Sequence, residues 1–160
     1  MSGMPAVRRG AVARWMYRTG RPGRLARLLN NGWKHVGKLG LWPQRLVTLE
    51  VRGRRTGRPI AFPLVVADHD GERYLVSMLG ENTSWVANVR AAGGHAVLWD
   101  GHPHAVRLEE VPPGLRSPIL RRYLRNAPGA RAHIPVNRHA PVADFSRVAA
   151  DYPVFRIRAH

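Results

Sequence analysis

The stretch Leu46 to Arg58, LVTLEVRGRRTGR, constrains the fold of this chain more than any other. Val47, Leu49 and Val51 alternate with Leu46, Thr48 and Glu50, which is the period of a strand, and Gly53-Arg54-Arg55-Thr56-Gly57-Arg58 then breaks the alternation. A strand that runs into such a turn commits the chain to a hairpin. Glycines at 53 and 57 permit positive φ or a close backbone approach, while Arg54, Arg55 and Arg58 can offer paired N–H groups to phosphate or carboxylate oxygens. The loop therefore reads in two ways, as an anion trap or as a solvated turn whose charges keep a strand edge soluble.

Beyond the loop, Ile60 to Ala67 reads as a second strand, with Pro63 confining that part to an edge or a bulge. Asp68-His69-Asp70-Gly71 is a hairpin turn, and Arg73 to Leu79 a third strand. Gly80-Glu81-Asn82-Thr83 ends that strand. Thr83 or Ser84 can then cap a helix over Trp85 to Ala92, with Trp85, Asn88, Val89 and Ala92 on one face. Ala96 to Trp99 and His104 to Glu110 are strands about an Asp100-Gly101 turn; helices over Leu115 to Arg125 and Ala143 to Ala150 flank a loop-like Ala127 to Pro141, and Val154 to Arg158 is a closing strand. Five or six short strands with interposed helices predict a mainly β fold with some α, a small antiparallel barrel with peripheral helices. The absence of alternating βα units argues against a doubly wound sheet.

Ahead of this domain, taken as residues 46–160, residues 1–45 read as a basic helical N-terminal extension. Val12, Trp15 and Met16, and again Leu25, Leu28 and Leu29, form apolar stripes beside arginines, so the segment can lie on an anionic membrane, close over an acidic ligand or pack on the domain. Trp33, Leu39 and Trp42 are anchors for the monomer core or for a homodimer. Residues 1–58 hold fourteen basic residues against Glu50 alone, out of a formal net charge of +16. That field attracts nucleic acid, anionic membrane or a polyanionic small molecule alike. No motif that reads nucleic acid accompanies it. The chain has no cysteine, which excludes disulfides, thiol catalysis and thiolate metal sites. No apolar run reaches the roughly 18 to 20 residues of a membrane span, and the reading is of a cytoplasmic protein, soluble or peripheral to the inner face of the cell membrane. His95, His102 and His104, near Asp100, are read as a solvated hairpin face, and no metal is expected.

In order, the strand, Gly53-Arg54-Arg55-Thr56-Gly57-Arg58-Pro59, Pro63-Leu64, Asp70-Gly71, Tyr74-Leu75-Val76-Ser77 and Trp85-Val86-Ala87-Asn88-Val89-Arg90-Ala91 resemble the deazaflavin-dependent nitroreductase family. Those are split β-barrel proteins, related to the FMN-binding barrels, that use the deazaflavin coenzyme F-420. The resemblance implies a reductase in which the reduced coenzyme gives hydride to a small electron-poor acceptor, a quinone, an enone or a nitroaromatic. The alternative is a non-catalytic split barrel that binds a flavin, a lipid or a membrane.

The coenzyme carries a phosphate and a glutamate tail, so the resemblance assigns Arg54 and Arg55 to the phosphate, Thr56 to a hydroxyl contact and Arg58 to the glutamates. It places Asn88 at the phosphate region, Trp85 beside it, and Pro63, Leu64 and Val65 along the ring, with Ser77, Met78, Leu79 and Gly80 offering backbone N–H groups. Many members carry a lysine and a second glycine after the strand serine. Here Ser77 is followed by Met78-Leu79-Gly80-Glu81, which removes one phosphate ligand, adds an anion and leaves FMN as the alternative occupant. For the proton that must follow the hydride, His133 and Ser77 are the chosen donors, with Tyr123 and Tyr152 also in reach of that role.

Overall fold

The structure, a computed structural model, describes residues 46–160. The helices and apolar anchors expected before Leu46, and the domain boundary at residue 45, lie outside those residues. In chain order the elements are β1 (Leu46–Arg52), β2 (Pro59–His69), β3 (Glu72–Val76), α1 (Ser84–Ala91), β4 (His95–Trp99), β5 (Pro103–Glu110), α2 (Ser117–Asn126), α3 (Val142–Phe145) and β6 (Val154–Ala159). The strands close into one barrel in the order β1-β2-β3-β6-β5-β4, every neighbouring pair antiparallel. This is the split-barrel architecture that the strand pattern and the resemblance both implied.

Strict antiparallel pairing gives the barrel two distinct ends. Because β1, β3 and β5 run one way and β2, β4 and β6 the other, the β1–β2 turn, the β3–α1 turn and the lead-in to β6 gather at one end. The β2–β3 and β4–β5 turns gather at the opposite end.

Strand alternation also divides the apolar residues into two cores. Facing inward, Val47, Leu49, Val51, Leu75, Leu98, Val106, Leu108 and Phe155 fill the barrel, and α1 plugs it with Trp85, Val86 and Val89. The rings of Trp85 and Phe155 lie 5.6 Å apart. On the outer wall, Ala67, Tyr74, Val76 and Val154 pack against Ile119, Leu120, Tyr123 and Leu124 of α2 and against Phe145 and Ile134. Truncating Phe155 or Phe145 to Ala would cost about 3–5 kcal/mol. Arg116, 4% exposed, ties α2 to the lead-in of β6 by donating to the carbonyls of Val111 at 2.7 Å and Ala149 at 3.0 Å. Burial holds its guanidinium below the ordinary arginine value.

Two expectations shift in detail, and the edge reading of Pro63 holds. The third strand stops at Val76 because the Ser77 hydroxyl donates to the Gly80 carbonyl at 2.7 Å and Gly80 takes φ +93, turning the chain. The helix expected over Ala143 to Ala150 is only α3 followed by a turn at Ala149–Asp151. The Ser146 hydroxyl donates to the Ala143 carbonyl at 2.6 Å, competing for an acceptor that a continuing helix would use. Pro63 pairs with Thr48 inside β2, yet β3 joins β2 only between Val66 and His69. At Pro63 the second side of β2 thus has no ladder partner among the described residues, which is where a strand tolerates proline.

Candidate functional site

The β1–β2 turn is closed by its own backbone: Gly53 N–H donates to the Arg58 carbonyl at 2.8 Å, and Gly57 N–H to the Gly53 carbonyl at 2.9 Å. Gly57 sits at φ +69, a conformation that side-chain-bearing residues adopt at a cost. This tight loop pushes Arg54, Arg55, Thr56 and Arg58 into solvent. Asn88 of α1 fixes its orientation, because the Asn88 side-chain carbonyl accepts from both the Arg54 backbone N–H, at 3.1 Å, and its guanidinium, at 2.9 Å. Asn88 is therefore the brace of the arginine loop, a role that differs from the direct phosphate contact the resemblance assigned to it. Among the described residues Arg55 and Arg58 form no ion pair, so two guanidiniums face solvent without an anion.

The neighbouring β3–α1 turn is organised by Ser77, which is 1% exposed. Its hydroxyl bonds the Gly80 carbonyl and lies 3.1 Å from the Thr83 hydroxyl. Thr83, the N-cap of α1, makes no side-chain cap bond to the helix, and no acidic residue sits in the first turn. The first N–H groups of α1 are thus left without a side-chain acceptor. Glu81, the anion that threatened to repel a phosphate, is bound by Arg90, which also holds Glu110. The Arg90 contact holds the Glu81 carboxyl below the ordinary carboxylate value.

A cavity of about 330 Å³ opens beside this turn, lined by Met78, Leu79, Gly80, Glu81, His133, Asp151 and Tyr152. Leu79 is 63% exposed at its rim. The Tyr152 hydroxyl donates to the His133 carbonyl at 2.6 Å, stitching the loop after α2 to the lead-in of β6. Burial first, and the Asp151 charge second, raise the Tyr152 phenol above its ordinary value, so it holds its proton at neutral pH. This volume lies at the lower end of the range of ligand cavities, and its walls mix apolar carbon with a few polar groups.

Measured against the sequence reading, the structure brings Met78, Leu79, Gly80 and His133 to one cavity and Arg54, Arg55, Thr56 and Arg58 to one exposed loop. Trp85 is 6% exposed and belongs to the barrel plug. Pro63, Leu64 and Val65 do not share a face, since Leu64 packs on the barrel interior, Val65 on the outer core, and Pro63 is exposed. Ser77 has its hydroxyl engaged within the turn, and Tyr123 is buried in the outer core, where desolvation raises its phenol. Tyr152 was a secondary candidate in sequence. Its place on the cavity depends on the turn at Ala149–Asp151, for which spacing held no signal.

The donor set suits a polyanionic coenzyme such as F-420: a braced loop with unpaired guanidiniums, a free helix start and a neutralised Glu81 beside a cavity. Residues 26–143 match the family described as F420H(2)-dependent quinone reductase. No curated protein sequence matches the chain. Among solved structures, the protein Atu2129 of Agrobacterium tumefaciens, of unknown function, aligns with a TM-score of 0.51 at 14% identity over 72% of this chain and 48% of its own. The conserved hypothetical protein Rv2991 of Mycobacterium tuberculosis aligns at 0.50 and 16% identity, over 88% and 81%. A heme binding protein of Mycobacterium smegmatis aligns at 0.51 and 13%, over 74% and 47%. This chain spans about half the length of the first and third of these, and at such identities the likeness is one of fold alone.

Proposed function

The chain belongs to the F420H(2)-dependent quinone reductase family, an oxidoreductase family whose reductant is reduced F-420, and on that premise we propose that its acceptor is a quinone held in the cavity of Met78, Leu79, His133 and Tyr152. Reduced F-420 supplies the hydride when it is bound. Arg54, Arg55 and Arg58 would hold its phosphate and glutamates, Thr56 would add a hydroxyl, and the turn from Ser77 to Gly80 with the start of α1 would offer backbone N–H groups. The chain's own work is to orient the coenzyme, exclude water and hold a proton near the acceptor oxygen.

Two groups can hold that proton. The Tyr152 phenol stays protonated and needs only to leave the His133 carbonyl, and the His133 imidazole is exposed on the same cavity. Ser77 supports the turn instead, through its bonds to Gly80 and Thr83. The observation that supports the quinone is the cavity itself: apolar Met78 and Leu79 suit a flat ring, and the Tyr152 phenol lines the same cavity, where it would be available to a carbonyl of a ring bound there.

The test is the oxidation of reduced F-420, followed by absorbance, with a naphthoquinone, an enone and a nitroaromatic in parallel. The quinone is expected to show a kcat/KM at least about tenfold above the other two, a difference of about 1.4 kcal/mol. Tyr152→Phe should lower kcat several-fold while leaving the KM for reduced F-420 unchanged. An enone or nitroaromatic turned over as well as the quinone would overturn the acceptor assignment.

A further inference from the structure

The β4–β5 turn lies at the end of the barrel opposite the arginine loop. Trp99 pairs with Pro103 and Leu98 with His104, so the residues Asp100-Gly101-His102 form the connection, and Gly101 at φ +104 allows it to be tight. Pro103 fixes the backbone between the two histidines. The turn brings one donor atom each from Asp100, His102 and His104 to within 4.8 Å of one another. Asp100 Oδ1 lies 2.7 Å from His104 Nε2, and the His102 and His104 rings meet edge to face with centroids 4.1 Å apart.

An ion pair accounts for Asp100 and His104. It does not account for His102, whose imidazole makes no hydrogen bond among the described residues yet is folded against the second imidazole. The second carboxylate oxygen is also engaged: Arg73 at the start of β3 lies 3.4 Å from Asp100 Oδ2, which turns Oδ1 toward the histidines. A group that orients a ligand through its other oxygen is a common supporting arrangement around metal ions.

We propose that this hairpin is a binding site for a divalent transition-metal ion, zinc foremost, with Asp100, His102 and His104 as its protein ligands. Two imidazoles and one carboxylate favour zinc, nickel or copper over the oxygen-seeking magnesium and calcium. Tetrahedral bonds of about 2.0–2.1 Å set ligand atoms roughly 3.3 Å apart, so the Asp100–His104 pair, now at 2.7 Å, would open and any wider separation, up to 4.8 Å, would close, shifts that exposed side chains can make by rotation. Water would complete the coordination. The ion would clip β4 to β5 and, through Arg73, to β3. No hydride chemistry at the other end depends on it, so this proposal stands apart from the acceptor assignment.

Calorimetric titration of the untagged full-length protein with zinc chloride tests it. One equivalent should bind, and zinc should raise the Tm. His102→Ala and His104→Ala should each weaken binding at least about tenfold and abolish the Tm rise, whereas His139→Ala should change neither. Cobalt in place of zinc should give the strong visible absorption of a tetrahedral site with the parent protein only. Failure of zinc to bind, or binding that survives both substitutions, would overturn the site. Because all three side chains are at least partly exposed, the variants should fold with an unchanged metal-free Tm, which the same scans verify.

Discussion

The two ends of the barrel handle charge in opposite ways. In the β2–β3 and β4–β5 turns, Asp68, Asp70, Glu72 and Asp100 supply four of the chain's ten acidic residues, and cations are spent on them: Arg122 on Asp68, Arg73 on Asp100. At the other end Arg90 takes both Glu81 and Glu110, Asp151 on the cavity wall forms no ion pair among the described residues, and Arg55 and Arg58 likewise form none. In a chain of net charge +16 the number of arginines locates nothing. What sets Arg55 and Arg58 apart is that both stand in one short turn whose backbone is closed and whose orientation Asn88 fixes.

The largest expected effect breaks that contrast directly. Arg55→Ala combined with Arg58→Ala should weaken F-420 binding on the order of 100-fold, about 2–3 kcal/mol for two charge-assisted contacts, in a fluorescence titration. Thermal stability should stay within about 0.5 kcal/mol, because neither side chain is buried or paired. Added salt should weaken the parent more than the variant. Arg73→Ala and Arg122→Ala, of equal charge at the opposite end, should leave coenzyme affinity unchanged. Equal losses from both ends would mean that only the overall field attracts the coenzyme.

The arginine loop was legible in sequence because a turn is a local event: two glycines, three arginines and a strand period before them suffice. The barrel was legible for the same reason, one strand and one turn at a time. What spacing could not carry was the register between distant elements. That Asn88 braces Arg54 depends on how α1 seats in the barrel mouth, thirty-four residues along the chain. That Tyr152 meets His133 depends on two irregular turns with no periodicity. Spacing does show that Pro63, Leu64 and Val65 cannot form one wall, because consecutive strand residues point to opposite faces and Leu64 turns to the barrel interior.

An intermediate effect is expected from the brace. Asn88→Ala removes the acceptor of a backbone N–H and of a guanidinium in a site where Asn88 is 2% exposed. Stability measured by urea unfolding should fall by about 1–3 kcal/mol, the cost of leaving part-buried donors without acceptors. Coenzyme affinity should fall as well, though no residue contacting solvent anions has been removed. Asn88→Asp should restore stability more than affinity, since its carboxylate can accept both bonds but competes with a phosphate for Arg54. A stable Asn88→Ala variant with parental affinity would show that the loop holds its own shape.

The smallest effect distinguishes buried acids from paired ones. Glu50 lies in the barrel wall between the two ends, 5% exposed, and burial raises its carboxyl above the ordinary value of 4.5. The Trp99 indole N–H, near it without a formed hydrogen bond, offsets part of that rise. A raised carboxyl means that the folded protein binds the proton more tightly than the unfolded chain does. Glu50 therefore costs nothing in strongly acid solution and costs increasingly more as pH climbs from the ordinary value through the raised one. Asp68 behaves in the reverse sense: the Arg122 contact lowers its carboxyl, so its contribution is present above the ordinary carboxylate range and is lost as pH falls through its lowered value. Glu50→Gln should thus raise the Tm by an amount that grows from pH 4 toward pH 8. Asp68→Asn should lower it slightly at neutral pH, by less because that pair is exposed, with the difference closing in acid. Differences that stay flat with pH would mean that hydrogen-bond geometry, rather than the charge on either carboxylate, sets what these two residues contribute.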